Sequence, residues 1–227
     1  MLLSFELHTL QGTRPIEVDV DQFVIAGWAG RDPAAIEHHI QELADIGVPR
    51  PSSVPLFYRV AQQQLTQAPV VQVVGPHSSG EVEVLLFVHD GQACVSLTSD
   101  HTDRQLESHS VALSKQVCAK PVARAAWPLA EVLDHWDELR VRSTIVEQGQ
   151  EVVYQDGQLS SLLPVSELVQ RFCGAAQLPE RTAMSCGTVA VIGGIRPAGV
   201  FTMVLSDERL DRQLSHRYEL DVLPCVS

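Results

Sequence analysis

Apolar and polar residues alternate twice at the start of the chain, through Leu3, Phe5 and Leu7 and again through Ile16, Val18 and Val20, with Gln11-Gly12-Thr13 between them. Successive side chains of a strand point to opposite faces, so the pattern predicts a β-hairpin with one apolar face. The period then changes. Asp32 and Pro33 have the form of a helix N-cap and first-turn proline, and Ile36, Ile40, Leu43 and Ile46 recur at helical spacing. A helix is predicted over 33–46, stopped by Gly47 and Pro49. After Pro55-Leu56-Phe57-Tyr58 the pattern becomes short β segments at 70–74, 82–89 and 93–98, separated by Gly, Pro and Ser clusters. Further helices are predicted over 128–136 and 165–172, the latter ending at Gly174, with a turn at Asp156-Gly157 between them. Strands return at 188–192, 200–205 and 214–222. No repeat or long linker intervenes, which predicts one β-rich domain of the α+β class over 1–227, with residues 1–60 as a hairpin-and-helix section packed on the β-rich body.

Composition narrows the partners. With 227 residues, 45% hydrophobic and 19% charged, the chain is long and apolar enough to bury a substantial core. A net charge of −12 with 16 scattered basic residues argues against nucleic acid, which needs clustered Lys and Arg. Small anionic substrates remain open, because a few positive groups can reverse the local potential. No leader pattern or membrane-length apolar run is seen, which predicts a cytoplasmic protein without membrane contact. The 5 cysteines show no CxxC spacing, so free thiols are expected rather than a disulfide framework or thiolate zinc site.

Candidate chemistry begins with Glu81-Val82-Glu83, which follows the turn Gly75-Pro76-His77-Ser78-Ser79-Gly80. On a strand both carboxylates share one face with Leu85 and Phe87, while Val82 and Val84 occupy the other. By spacing alone this pair reads as the solvated face of an edge strand. Two like charges at the start of an apolar face also suit a hard cation, Mg²⁺ or Ca²⁺, bound through oxygen. Asp100 follows the next predicted strand and can reach the same sheet end as a hairpin partner. On the predicted helix His39 falls inside the apolar arc, with Glu42 at i+3 placed to orient its imidazole. A satisfied histidine at the core edge explains the same pattern. The remaining histidines lack metal-ligand spacing.

Taken in order, His39-Ile40-Gln41-Glu42, Glu81-Val82-Glu83, Asp100 and Lys115 resemble the H-x-x-E, E-x-E, Asp and Lys motifs of the fumarylacetoacetate hydrolase superfamily. Residues 51–57 resemble its P-x-x-P-x-x-F region, and Asp100-His101-Thr102-Asp103-Arg104 its D-x-S/T-A-R segment. The stretch from Gly187 to Ile195 resembles its G-D-x-I-x-T-G-T-P turn, without the two threonines and the proline. The usual Asn-Tyr before the first motif is absent, and Glu107 stands where many members have Gln. The chain thus resembles an outlying, functionally undefined branch.

The resemblance implies a mixed β-sandwich roll with a few peripheral helices, usually a homodimer, with Mg²⁺ or Mn²⁺ held by Glu81, Glu83 and Asp100. It implies cleavage, decarboxylation, hydration or isomerisation of a small 2-oxo acid or β-diketone acid through a metal-stabilised enolate. In that scheme His39 and Glu42 form the acid-base pair, Lys115 stands near the substrate oxyanion, and Arg104 binds substrate or pairs structurally. Two alternatives share these residues: a non-catalytic binding relative that kept the fold, and an oxo-acid tautomerase using the same site. The stretch 28–38 is a candidate lid.

Overall fold

The first alternation folds as its spacing predicts: β1 (Leu2–Thr9) and β2 (Gly12–Asp19) pair antiparallel, with Leu3 opposite Val18 and Phe5 opposite Ile16. The structure is a computed structural model describing residues 1–45 and 49–226, apart from the side chains of His39, Glu42 and Leu43. β3 (Gln22–Gly27) leads into α1 (Pro33–Asp45), whose first turn is capped by Asp32 Oδ1 accepting from Ala34 N at 2.9 Å. Then follow β4 (Leu56–Val60), β5 (Val70–Val74), β6 (Val82–His89), β7 (Gln92–Ser99), α2 (Arg104–Glu107) and α3 (Val111–Gln116). The remainder comprises β8 (Ala125–Pro128), β9 (Arg140–Glu147), β10 (Gln150–Gln158), α4 (Val165–Cys173), β11 (Thr182–Thr188), β12 (Val200–Asp207) and β13 (Arg212–Leu223).

These strands form two mixed sheets, one of order β2-β1-β8-β7-β6-β11-β3-β4 and one of order β10-β9-β12-β13-β5. The larger sheet curls. Strands three places apart in a flat sheet lie about 14 Å from one another, yet Phe5 of β1 stacks on Phe87 of β6 with ring centroids 4.5 Å apart. All eight strands wrap an inner core that includes Leu3, Phe5, Ile16, Ile25, Val60, Leu85, Phe87, Cys94, Ala126 and Ala183. The outer face of the curl, carrying Val82, Val84, Leu86 and Val88, packs on Val141, Ile145, Phe201 and Met203 of the smaller sheet. β6 is therefore buried on both faces, which explains its nearly continuous apolar run. The result is an α+β roll with short peripheral helices. Among the described residues no helix is long and apolar enough to cross a membrane.

The structure corrects three local expectations. The predicted helix at 128–136 is the end of β8 followed by 3₁₀ turns, Leu129–Glu131 and Leu133–Glu138, because Pro128 is extended and His135 leaves helical geometry to meet Asp207 at 2.9 Å. Asp156-Gly157 is not a turn but part of β10. There Gly157 admits Val189 so closely that a Cβ would stand 3.0 Å from its side chain. The strand predicted at 188–192 lies earlier, at β11; its small residues Ala183, Ser185 and Gly187 fit between β3 and β6 and carry little β signal in the sequence. β3, β9 and β10 lie where the apolar pattern predicts no strand. At the other end, α4 stops where expected, at Gly174 with φ 70°.

Candidate functional site

β6 and β7 are joined by Asp90 and Gly91, both at positive φ (50° and 74°), in the tight hairpin geometry that matches strand twist. The resulting register places Glu83 opposite Thr98 and Val82 opposite Ser99, and Asp100 N donates to Glu81 O at 2.9 Å. Glu81, one residue before β6, is thus the cross-strand neighbour of Asp100. Leu85 and Phe87, two and four residues after Glu83, line the inner core, so the acids stand at one end of the roll.

Glu83 is buried. Its Oε2 accepts hydrogen bonds from Ser185 Oγ and, at 2.9 Å, from Gly187 N. Burial, reinforced by the charge of Asp100, pushes its carboxyl up to about 8. Burial pushes Asp100 the same way, but Lys115 and Lys120 outweigh it and hold that carboxyl down to about 2. Lys115 Nζ bonds Asp100 Oδ2, and Lys120 Nζ stands 3.2 Å from Oδ1, an ion pair whose geometry leaves Oδ1 without a hydrogen bond.

Both lysines are buried. Lys115 arrives on α3, whose N-cap Ser110 accepts from Leu113 N at 3.3 Å, and burial's downward pull on its ammonium is exceeded by Asp100 and Glu81. Lys120 also donates to the His101 carbonyl and, at 2.7 Å, to the Lys115 carbonyl, tying the two loops around Asp100; burial still draws its ammonium below the usual lysine range.

Arg104 holds Glu81 at 3.2 Å, Glu107 at 3.0 Å and Ser79 Oγ at 2.6 Å. The guanidinium's surroundings are those of structural pairing, with Glu107 using its charge on Arg104. Behind Asp100, His101 bridges Ser78 Oγ (3.0 Å) and Tyr218 OH (2.7 Å), and Tyr218 donates to Ser99 Oγ at 2.8 Å. Burial, with Lys120 nearby, lowers the imidazole to about 3, so it is neutral at ordinary pH. A side chain at Gly80 would lie 2.6 Å from Ser99 Oγ and 2.8 Å from Tyr218 OH, so this network needs glycine there. Two aromatic side chains lie beside Lys115: its ammonium is 5.7 Å from the Tyr58 ring centroid, and Trp28 Nε1 donates to Tyr58 OH at 3.3 Å.

The structure brings Glu83, Asp100 and Lys115 together, with Glu81 beside them on Arg104. The side chains of His39 and Glu42 lie outside the described residues. Among the described residues no three His, Cys, Asp or Glu side chains are gathered closely enough to form a ligand set by themselves. Sequence reasoning missed Lys120, Ser185 and Tyr58. The one visible signal was a lone lysine inside the apolar run Cys118-Ala119-Lys120-Pro121-Val122-Ala123. The turn at Gly193-Gly194 is closed from within by Arg196, which donates to the Ile192 and Gly194 carbonyls and pairs with Glu147 at 2.5 Å. The candidate lid is fastened at its start: Gly30 bridges Leu162, Arg31 N donates to Ser161 O at 2.9 Å, and Arg31 grips Asp137 through two bonds.

No curated protein matches the sequence. Solved structures share the fold at low identity. A crystal structure of Cg1458 superposes with TM-score 0.65 at 12% identity, covering 94% of this chain and 80% of that one. 2-keto-3-deoxy-D-arabinonate dehydratase complexed with magnesium and 2,5-dioxopentanoate gives 0.63 at 14%, covering 96% and 79%. 4-oxalocrotonate decarboxylase from Pseudomonas putida G7, complexed with calcium and acetate, gives 0.55 at 15%, covering 87% and 76%. A family model described as "Protein of unknown function (DUF2848)" matches residues 26–218. This chain belongs to that family, and its α+β roll is of the fumarylacetoacetate hydrolase type.

Proposed function

We propose that this chain is a metal-dependent enzyme acting on a small 2-oxo acid or β-diketone acid at that end of the roll. The observation that carries this reading is Glu83: a buried carboxylate in the field of a second one, Asp100, whose Oδ1 is itself buried without a hydrogen bond. Burial beside Asp100 disfavours the ionised form of Glu83, and a hard divalent cation would favour it. Glu81, Glu83 and Asp100 offer oxygen donors only, the donor chemistry that Mg²⁺ or Mn²⁺ prefers, and holding such an ion requires them to gather more closely than in this structure, where Arg104, Ser185, Lys115 and Lys120 engage them. Shared fold with a magnesium-complexed dehydratase and a calcium-complexed decarboxylase supports the same reading.

Glu81, Glu83 and Asp100 would hold such a cation, which would supply Lewis-acid chemistry. The chain supplies the rest. Lys115, kept charged by Asp100, sets a positive group beside the oxygen on which enolate charge develops. Arg104 holds Glu81 in place. Tyr58 and Trp28, beside Lys115, limit the size of what enters. His39 and Glu42, the acid-base pair that the H-x-x-E resemblance assigns, would move the proton or activate water. These groups serve hydrolysis, decarboxylation, hydration and tautomerisation alike.

The test is titration calorimetry of the metal-free protein with Mg²⁺ and Mn²⁺, with and without oxalate, for wild type and Glu83→Ala. Wild type is expected to bind, oxalate to tighten binding, and Glu83→Ala to abolish it. Wild type that binds neither ion overturns the reading.

A further inference from the structure

We propose that Gln155 and Thr188 form a clip that aims Glu81 and Glu83, without either residue touching those carboxylates. The clip is built around a β-bulge. Between the pairs Leu85–Ser185 and Glu83–Thr188, β11 spends one residue more than β6, and the ladder breaks there. Gly187 sits in the break at φ 92°, where a Cβ would stand 2.7 Å from the Ala29 side chain, so only glycine fits. The bulge turns the Gly187 N–H onto Glu83.

Val82, the residue between the two glutamates, has both backbone polar groups taken by side chains at this break. Its N–H donates to Gln155 Oε1 at 2.8 Å, and its carbonyl accepts from Thr188 Oγ1 at 2.7 Å. Gln155 is completely buried and uses all its capacity. Oε1 also accepts from Ser143 Oγ at 3.0 Å, while Nε2 donates to Thr188 Oγ1 at 2.7 Å and to Val189 O at 2.8 Å. It reaches across from β10, in the other sheet.

The peptide planes on both sides of Val82 are thereby fixed, and with them the Cα–Cβ directions of Glu81 and Glu83. Thr188 holds the neighbouring Gly187 in position to donate to Glu83. Gln155 and Thr188 are positioning residues, joining the second sheet to the acids at one end of the first. Their effect on a bound cation rests on the metal-dependent reading above; their effect on Gly187 and Glu83 does not.

The experiment compares wild type with Thr188→Val, which keeps shape and loses the hydroxyl, Thr188→Ser, which keeps the hydroxyl, and Gln155→Leu. Two quantities are read in the full chain: exchange of the Gly187 amide in metal-free protein by NMR, and Mn²⁺ affinity by calorimetry. Thr188→Val and Gln155→Leu are expected to speed Gly187 exchange and weaken Mn²⁺ about tenfold, the scale of outer-shell partners at metal sites. Thr188→Ser is expected to restore both to near wild type. Gly187 protection unchanged in Thr188→Val overturns the clip, and so does Mn²⁺ affinity unchanged in Thr188→Val while wild type binds. Wild type that binds no Mn²⁺ overturns the metal reading instead, and Gly187 exchange still decides the clip. Should Gln155→Leu fail to fold, the two Thr188 variants decide alone.

Discussion

The chain contains two antiparallel hairpins of eight-residue strands in the same sheet, β1–β2 and β6–β7, and their interiors differ in kind. The first buries one face: Leu3, Phe5, Leu7, Ile16 and Val18 point inward, while Ser4, Glu6, Glu17 and Asp19 face water. The second is buried on both faces and still carries Glu83, Ser96, Thr98 and Ser99 inside, with Asp100 just past its end. Polar groups of the first hairpin are solvated and need no partner from the fold. Those of the second must find partners in other elements: Ser185 and Gly187 for Glu83, Lys115 and Lys120 for Asp100, Tyr218 for Ser99, and the Ala125 and Pro121 carbonyls for Ser96 and Thr98. A buried acid at this end depends on the tertiary structure and reports on it, whereas the solvated Glu17 on β2 does not.

That contrast sets an order of expected effects. The largest is at Lys120. Lys120→Met removes one of the two ammonium groups beside Asp100 and leaves the His101 and Lys115 carbonyls without their donor, which is expected to cost about 3 kcal/mol of stability. Urea unfolding followed by tryptophan fluorescence measures it. A loss under about 0.5 kcal/mol, the scale of ordinary surface changes, breaks the claim that this lysine is part of the buried balance.

A pH effect of comparable size stands beside it. The Glu83 carboxyl lies at about 8 in the folded chain against 4.5 as its ordinary value, so between those pH values the folded state holds a proton that the unfolded state has lost. Stability of the metal-free protein is therefore expected to fall as pH rises from 4.5 through 8 and to level off above. Asp100 acts in the opposite sense only in acid: the stability it contributes is full above its ordinary 3.8 and is lost as pH falls through about 2. Glu83→Gln, which is neutral throughout, is expected to flatten the decline between pH 5 and 8; unfolding midpoints across that range would show it. An equally steep decline in Glu83→Gln would assign the effect to another group.

The smallest effect belongs to the first hairpin. Glu17→Ala, on the solvated face of β2 opposite Ser4, is expected to change stability by less than about 0.5 kcal/mol. A larger change in thermal unfolding would mean that this face is covered by something in solution.

Periodicity made β1, β2, β5, β6, β7 and the body of α1 and α4 legible, because one-faced burial repeats every second or every third to fourth residue. It also put Glu81 and Glu83 on one face with Leu85 and Phe87. It failed at β11 and at residues 128–136. In β11 the neighbours on both sides demand small residues, and after Pro128 the His135–Asp207 contact overrides helical geometry; neither requirement is local. Motif order singled out Asp100 and Lys115. Ser185 and Gln155 gave no signal, since an isolated serine or glutamine looks the same whether it solvates a loop or saturates a buried bulge.

By itself, then, the sequence determined which strands have an apolar face and which acids stand at the start of one, since those properties depend only on spacing along the backbone. The tertiary structure decided that β6 is buried on both sides, that two lysines 15 and 20 residues downstream, the first on α3, meet Asp100, and that a glutamine from the other sheet grips the residue between the glutamates. Such pairings satisfy charges and hydrogen bonds that burial has taken from water, and which partner meets which is settled only when the sheet curls.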